Sequence, residues 1–198
     1  KEAGIAMQGI ERALKVATGS AAQGAKEFQF VSAESERLGL NLGDAAKEYA
    51  KLSAAAKNTS LEGEQVRKIF TALSSASRVL TLSADDTTGA MRALVQIISK
   101  GNVQAEEIRG QLGERIPAAF QIAATTMGAT QAEFNKMLQL GQVSAEALLP
   151  KFSEGLIERY GKGIPAAISD AQSAFNRFGT AMFKLKNSIA ESGLLDAL

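Results

Sequence analysis

The sequence predicts an all-α protein: a compact multi-helix domain of about eight to ten helices, closed by a long C-terminal helix. Three observations lead there. The chain has three prolines (117, 150 and 165) in 198 residues and is rich in Ala, Leu, Glu, Gln and Lys, the residues that lose least on entering a helix. Its apolar residues recur at steps of three and four, and no stretch alternates with the period of two of a half-buried strand. Between the apolar stripes comes a repeated punctuation of glycine, apolar residue and capping side chain, with an acid close behind.

In order along the chain, Met7, Ile10, Leu14 and Ala17 form the first stripe, and Phe28, Val31, Ser35 and Leu38 the second. Ala45, Tyr49, Leu52 and Ala56 form the third, Val66, Ile69, Phe70 and Leu73 the fourth, and Met91, Leu94, Val95 and Ile98 the fifth. The uncharged stretch from Ile116 to Ala132 reads as a buried helix. Asn41, Thr59 or Ser60, Ser83, Thr130 and Ser144 stand where helices should start. Thr59-x-x-Glu62 and Thr130-x-x-Glu133 have full capping-box spacing, in which hydroxyl and carboxylate satisfy each other's orphan amides. Leu40, Leu82, Val103 and Val143 precede caps as hydrophobic staples would, and Gly39, Gly101, Gly128 and Gly141 lie where helices end in a left-handed residue. The spacing of these breaks is irregular, which argues against a solenoid and for short antiparallel connections. Finally, Ile164, Ile168, Ala171, Phe175, Phe178, Met182, Leu185 and Ile189 step 4, 3, 4, 3, 4, 3, 4. This is a seam of a/d type, predicting one helix over 164–190 whose apolar stripe lies on the domain, or else opens a coiled coil.

Composition excludes more than it suggests. There is no cysteine and no histidine, so disulfides, zinc–thiolate sites, thiol nucleophiles, imidazole ligation and Ser-His-Asp chemistry are all absent. Basic and acidic residues balance at 22 and 21. The balance holds in every third of the chain, so no basic patch is present to grip nucleic acid phosphates. No run approaches the roughly 18 apolar residues of a membrane span. The chain reads as a segment of a longer protein.

The most visible carboxylates are Glu106, Glu107 and Glu114. Paired acids could hydrolyse a glycan, but sequence neighbours on a helix point about 100° apart and do not face each other. Acids after Gln104 complement a helix N-terminus, and Arg109 can pair with Glu106 three residues away. Asp85-Asp86 lacks the alternating oxygen ligands of a calcium loop. The methionines (7, 91, 127, 137 and 182) read as core filler. Ala13, Ala17, Ala21 and Ala25 would line one helix face and allow close packing, within the chain or between copies. No catalytic residue, cofactor site or metal site is predicted. From the residues alone, a helical protein-binding adaptor describes the chain.

The stretch from Ile98 to Pro117 is less generic. Its Ser-Lys-Gly-x-Val-x-x-Glu-Glu-Ile-Arg-x-Gln-Leu-Gly-Glu-x-x-Pro resembles the signature of the domain found toward the N-terminus of phage and prophage tail tape measure proteins, with Ile108 where the family usually has Leu. The motif positions are Lys100, Gly101, Val103, Glu106, Glu107, Arg109, Gln111, Leu112, Gly113, Glu114 and Pro117. Tyr49-x-Lys51-Leu52-x-Ala54-Ala55-Ala56-Lys57, and Met127-Gly128 through Leu149-Pro150-Lys151-Phe152, resemble it further. The resemblance covers roughly 28–160 in order, between an N-terminal helix over 1–27 and the long helix over 161–198 that would lead into an extended rod. It implies a non-catalytic virion component that templates tail tube assembly to a set length. The implied partners are the tail tube protein, tail assembly chaperones, tail tip or baseplate proteins and other copies of itself. The implied location is the tail tube lumen, reached from the host cytoplasm where tails assemble. Because the segment is full of helix breaks, it should fold as a module attached to the rod and not be the rod itself.

Overall fold

The structure, a computed structural model, describes the backbone of residues 2–191, and side chains from Gln8 onward except at 171, 172, 186, 187 and 189–191. The described residues form ten α-helices and no strand. They are α1 (Glu2–Thr18), α2 (Ala21–Leu38), α3 (Leu42–Ala56), α4 (Glu64–Val79), α5 (Ala84–Lys100), α6 (Ala119–Thr126), α7 (Gln131–Gln139), α8 (Ala145–Tyr160), α9 (Ile164–Ala167) and α10 (Ala171–Glu191). A π-helical turn, Glu106–Leu112, lies between α5 and α6, and a single 3-10 turn, Gly161–Gly163, between α8 and α9. The all-α prediction holds.

The chain divides into two compact units. One joins the stretch through Ala50 to the stretch from Ile168, and the other is the continuous run Lys51–Ala167. In the first unit α1 packs on α2, where a Cβ added at Gly24 would lie 3.0 Å from the Lys15 backbone nitrogen. Leu14, Val31, Leu38, Ala46 and Tyr49 are buried there. Tyr49 donates its hydroxyl to the buried Glu27, which also accepts from Gln23. Phe30 packs against the Tyr49 ring at 5.4 Å.

In the second unit α4 is enclosed on most sides and lies against α8. Its stripe Val66, Ile69, Phe70 and Leu73 is buried as expected, and the small run Ala72–Ser77 is buried with it. α6 crosses α8 at Gly155, where an added Cβ would meet Ile122 Cγ2 at 2.6 Å and Thr126 Cγ2 at 2.7 Å. Only a residue without a side chain lets the helices approach this closely.

The caps behave largely as the spacing indicated. Asn41, Ser83, Thr130 and Ser144 accept from the amides of Asp44, Asp86, Glu133 and Ala147, and Thr130–Glu133 forms the full reciprocal box. Gly39, Gly101, Gly128 and Gly141 all have positive φ. Leu14 and Ala17 of the first stripe are buried, while the Met7 side chain lies outside the described residues.

Several expectations need correction. Thr59 caps no helix: its hydroxyl donates to the Ala56 carbonyl and accepts from Leu61 N, Glu62 caps the Asn58 amide, and α4 starts only after Gly63. The alanine face from 13 to 25 is cut by Gly19 (φ 80°) and by Ser20, whose hydroxyl caps α2 through Gln23 N. The stretch 116–132 gives the short α6, which ends at Met127–Gly128, and the first residues of α7 in place of one buried helix. The single helix over 164–190 is broken after Ala167. Asp170 Oδ1 accepts the Ser173 amide at 2.6 Å, so the side chain offers the backbone a new start in place of continuation. α10 is consequently the longest helix described, but it does not lay the predicted stripe on the domain. Phe175, Phe178 and Leu185 are 70, 65 and 53% exposed, and Met182, read as core filler, is 36% exposed.

Candidate functional site

The motif stretch occupies the C-terminus of α5, the following loop and the π-helical turn. Gly101 (φ 74°) ends α5 in the left-handed region, its amide bonded to the Ile97 and Ile98 carbonyls. The chain then makes a short extended crossing. Val103 N donates to Val143 O at 2.9 Å, and Ala145 N donates to Gly101 O at 2.8 Å, so two loops pair back to back. Val103 and Val143, the apolar residues before each cap, are both fully buried beneath this pairing. A signal for it stands in the sequence: Gly-x-Val-x-Ala-Glu occurs at 101–106 and again at 141–146.

From this crossing the chain enters the π-helical turn, a wider winding than an α-helix and an uncommon one. Glu106 and Glu107 diverge as neighbours on a helix should: Glu106 is exposed and Glu107 is wholly buried. The Glu107 carboxylate accepts from Lys100 Nζ and from the Gln104 amide at 3.1 Å, so it fastens the start of the turn to the last turn of α5. The Glu107 carboxylate holds the Lys100 ammonium above the usual lysine range, chiefly through that hydrogen bond. Leu112 anchors the other end of the turn in the core beside Ile108.

The cations of the motif stretch are also committed. Arg109, expected to pair with Glu106, instead lies over the Phe120 ring at 4.1 Å, and Phe120 meets Phe134 edge-on at 5.4 Å. Arg115 donates to the Gln111 carbonyl and approaches Asp86 at 3.6 Å. Gly113 sits where an added Cβ would lie 2.2 Å from the Arg109 carbonyl oxygen, a contact no side chain tolerates. Lys100, Glu106, Arg109, Glu114 and Pro117 are exposed, while Val103, Glu107 and Leu112 are buried. The arrangement is an anchored polar ridge. Its one buried carboxylate is neutralised by Lys100, and Glu106 and Glu114 are exposed. Among the described residues no group of three or more His, Cys, Asp or Glu is placed to hold a metal ion.

The first unit has an open groove of about 240 Å³, bordered by Ile10, Leu42, Gly43, Phe175, Gly179 and Phe183. No described helix is long and apolar enough to cross a membrane.

Comparison with known families matches residues 2–191, nearly the whole chain, to a family described as tape measure protein. A probable tape measure protein of Salmonella phage Felix O1 (isolate Felix O1-VT1) is 45% identical over 74 residues, which make up 37% of this chain. The match spans only 10% of that relative's length. No solved structure matches. On the breadth of the family match, joined to the motif stretch and the all-α architecture, the chain belongs to the tape measure protein family.

Proposed function

We propose that this chain is a folded structural and assembly module of a phage or prophage tail tape measure protein, contributing to tail tube assembly and length determination without catalysis. The observation that carries the reading is the family match over residues 2–191. The similarity to a phage protein named a probable tape measure protein supports it. The described residues do not form one continuous helix. An unbroken helix of this length would reach about 300 Å at 1.5 Å per residue, whereas positive-φ glycines and capping side chains divide the chain into short helices. The partners follow from this role: the tail tube protein, tail assembly chaperones, tail tip or baseplate proteins, and other copies of the chain. The working location is the tail tube lumen of the virion, with assembly in the host cytoplasm.

The motif positions serve this role as a built surface. Val103, Glu107, Leu112 and Gly113 fix the π-helical turn, and Glu106, Arg109, Gln111 and Glu114 form the ridge it displays to a partner. The test is a pull-down of the purified chain against the tail tube protein and tail assembly chaperones of the same phage. Binding that is weakened by charge reversal at Glu106 and Glu114 is expected. No binding to any of them would sink the assembly role and leave a helical adaptor.

A further inference from the structure

The break between α9 and α10 is built differently from most others in the chain. The connections from α1 to α5, and again from α6 to α8, each turn through a residue of positive φ, from Gly19 to Gly141. A left-handed residue ends a helix in its own backbone. Ile168, Ser169 and Asp170 have no positive φ, and neither glycine nor proline stands among them. Side chains make this break. A continuous helix would bond the carbonyls of Ala167, Ile168 and Ser169 to the amides four residues on. Instead Arg78 of α4 donates to the Ala167 carbonyl at 3.2 Å, and Arg177 of α10 donates to the Ile168 carbonyl at 2.9 Å. Asp170 Oδ1 accepts the Ser173 amide at 2.6 Å.

The contacts that dock α10 on α2 are also polar. Among its described side chains the buried ones are Ser173 and Thr180, while Phe175, Phe178 and Leu185 are exposed. Asn176 Nδ2 donates to the Gly39 carbonyl at 2.8 Å, and Arg177 Nε donates to the Glu36 carbonyl at 3.0 Å. Lys184 pairs with the Glu36 carboxylate at 2.6 Å, but the two side chains are 42 and 45% exposed, so solvent screens them. Burial of large apolar side chains, the contribution that makes docking hard to reverse, is mostly missing from this face.

We infer that α10 is a releasable arm: docked, it is held on α2 by these polar contacts, and released, it continues α9 as one helix. The apolar spacing supports the second state, because Ile164 and Ile168 run on into Phe175 and Phe178 in one register across the break. A helix docked by hydrogen bonds and an exposed ion pair, and interrupted by one aspartate, has two arrangements of similar free energy. Release of α10 is a property of the chain's own conformations and does not depend on the assembly role.

The absence of cysteine makes the test direct. Pairs of cysteines at exposed alanines carry spin labels: Ala33 with Ala181 reports docking on α2, and Ala166 with Ala181 reports continuity. In the otherwise native chain, the first pair should show a short distance as its main population. Asp170→Ala removes the competing cap and should move most of that population to longer distances. The second pair should then gather near the roughly 22 Å that fifteen residues span in a straight helix, with far-ultraviolet helicity equal to or above that of the native chain. Arg177→Met, which gives up the bonds to both the Glu36 and Ile168 carbonyls, should act in the same direction. Asp170→Ser, which keeps a capping oxygen, should leave the short distance dominant. If the first pair keeps its short distance in both Asp170→Ala and Arg177→Met, α10 is a fixed part of its unit and the inference fails. Release without the straight-helix distance, or with a fall in helicity, also overturns it, since α10 would then fray and not continue α9.

Discussion

Gly113 shows how one residue can decide a local winding. It has ordinary helical φ, so its need is space and not a left-handed backbone: the Arg109 carbonyl occupies the place a Cβ would take. Gly113→Ala must displace the end of the π-helical turn. It is expected to cost about 1–3 kcal/mol, the range for overpacking a fitted site, read as a lower denaturation midpoint with an unchanged slope. Lys100 makes a different kind of prediction. Its ammonium is held above the usual lysine range by Glu107, so its contribution to stability is complete below that range and is lost as pH rises through the raised value. The gap in melting temperature between the native chain and Lys100→Met should therefore be constant at neutral pH and close on strong alkalinisation. The Lys100 side chain is 43% exposed, so solvent screens the pair and keeps the effect small. A gap that instead widens with pH would contradict the assignment. The sequence pointed to this stretch through its motif but assigned its contacts differently. Arg109 had an acid three residues away on paper and took the face of Phe120, because a π-helical turn changes which side chains meet and nothing in residue spacing announces one.

At the scale of elements, starts and stops were the most legible part, because a cap is a contact between residues three apart and needs no tertiary knowledge. Thr130 is the clearest case. Its amide and hydroxyl hold the Glu133 carboxyl below the usual range, the amide contributing most. The stabilisation this gives α7 is present above the ordinary glutamate range and lost as pH falls through the depressed value. Thr130→Ala should lower stability by about 1 kcal/mol at neutral pH, and thermal melts should show the gap narrowing in acid without closing, because the Glu133 amide loses its hydroxyl cap at every pH. Thr59 carries the same letters and fails, because Glu62 turns to Asn58 and Gly63 delays the helix. The difference is tertiary: Leu61 is buried, and sinking it holds the segment in turns. The apolar spacing from 164 onward predicts a single helix, and the structure breaks it, since Asp170 competes for the backbone with a local bond that such spacing does not register; the Ala171 and Ile189 side chains of that seam lie outside the described residues. Gly155 carries no signal in the sequence. Its importance comes from Ile122 and Thr126 across the α6–α8 crossing, and such a partner is not visible along one strand of letters.

For the molecule as a whole, the division into units is what sequence reading could least supply, because it depends on contacts between residues far apart in the chain. The unit formed by the two ends is discontinuous, whereas Lys51–Ala167 is one uninterrupted run. That run holds α4 through α9, the paired loops at Val103 and Val143, and the π-helical turn with both its anchors. Its buried residues, among them Phe70, Leu94, Ile108, Phe134 and Phe152, belong to a core within the same run. At about 120 residues it is long enough to bury a core of its own without staples. Cutting before Lys51 divides α3 but keeps the buried Leu52 and Ala56 with the run. The excised fragment 51–167 should therefore fold alone, with a helical far-ultraviolet spectrum and one cooperative thermal transition. The excised fragment 1–50 lacks the stretch from Ile168, against which Glu36 and Gly39 make their hydrogen bonds, and should melt without a sharp transition. Calorimetry on both fragments decides the matter. A broad, non-cooperative melt for 51–167 would mean that the core of the run depends on the rest of the chain, and that the chain folds as one.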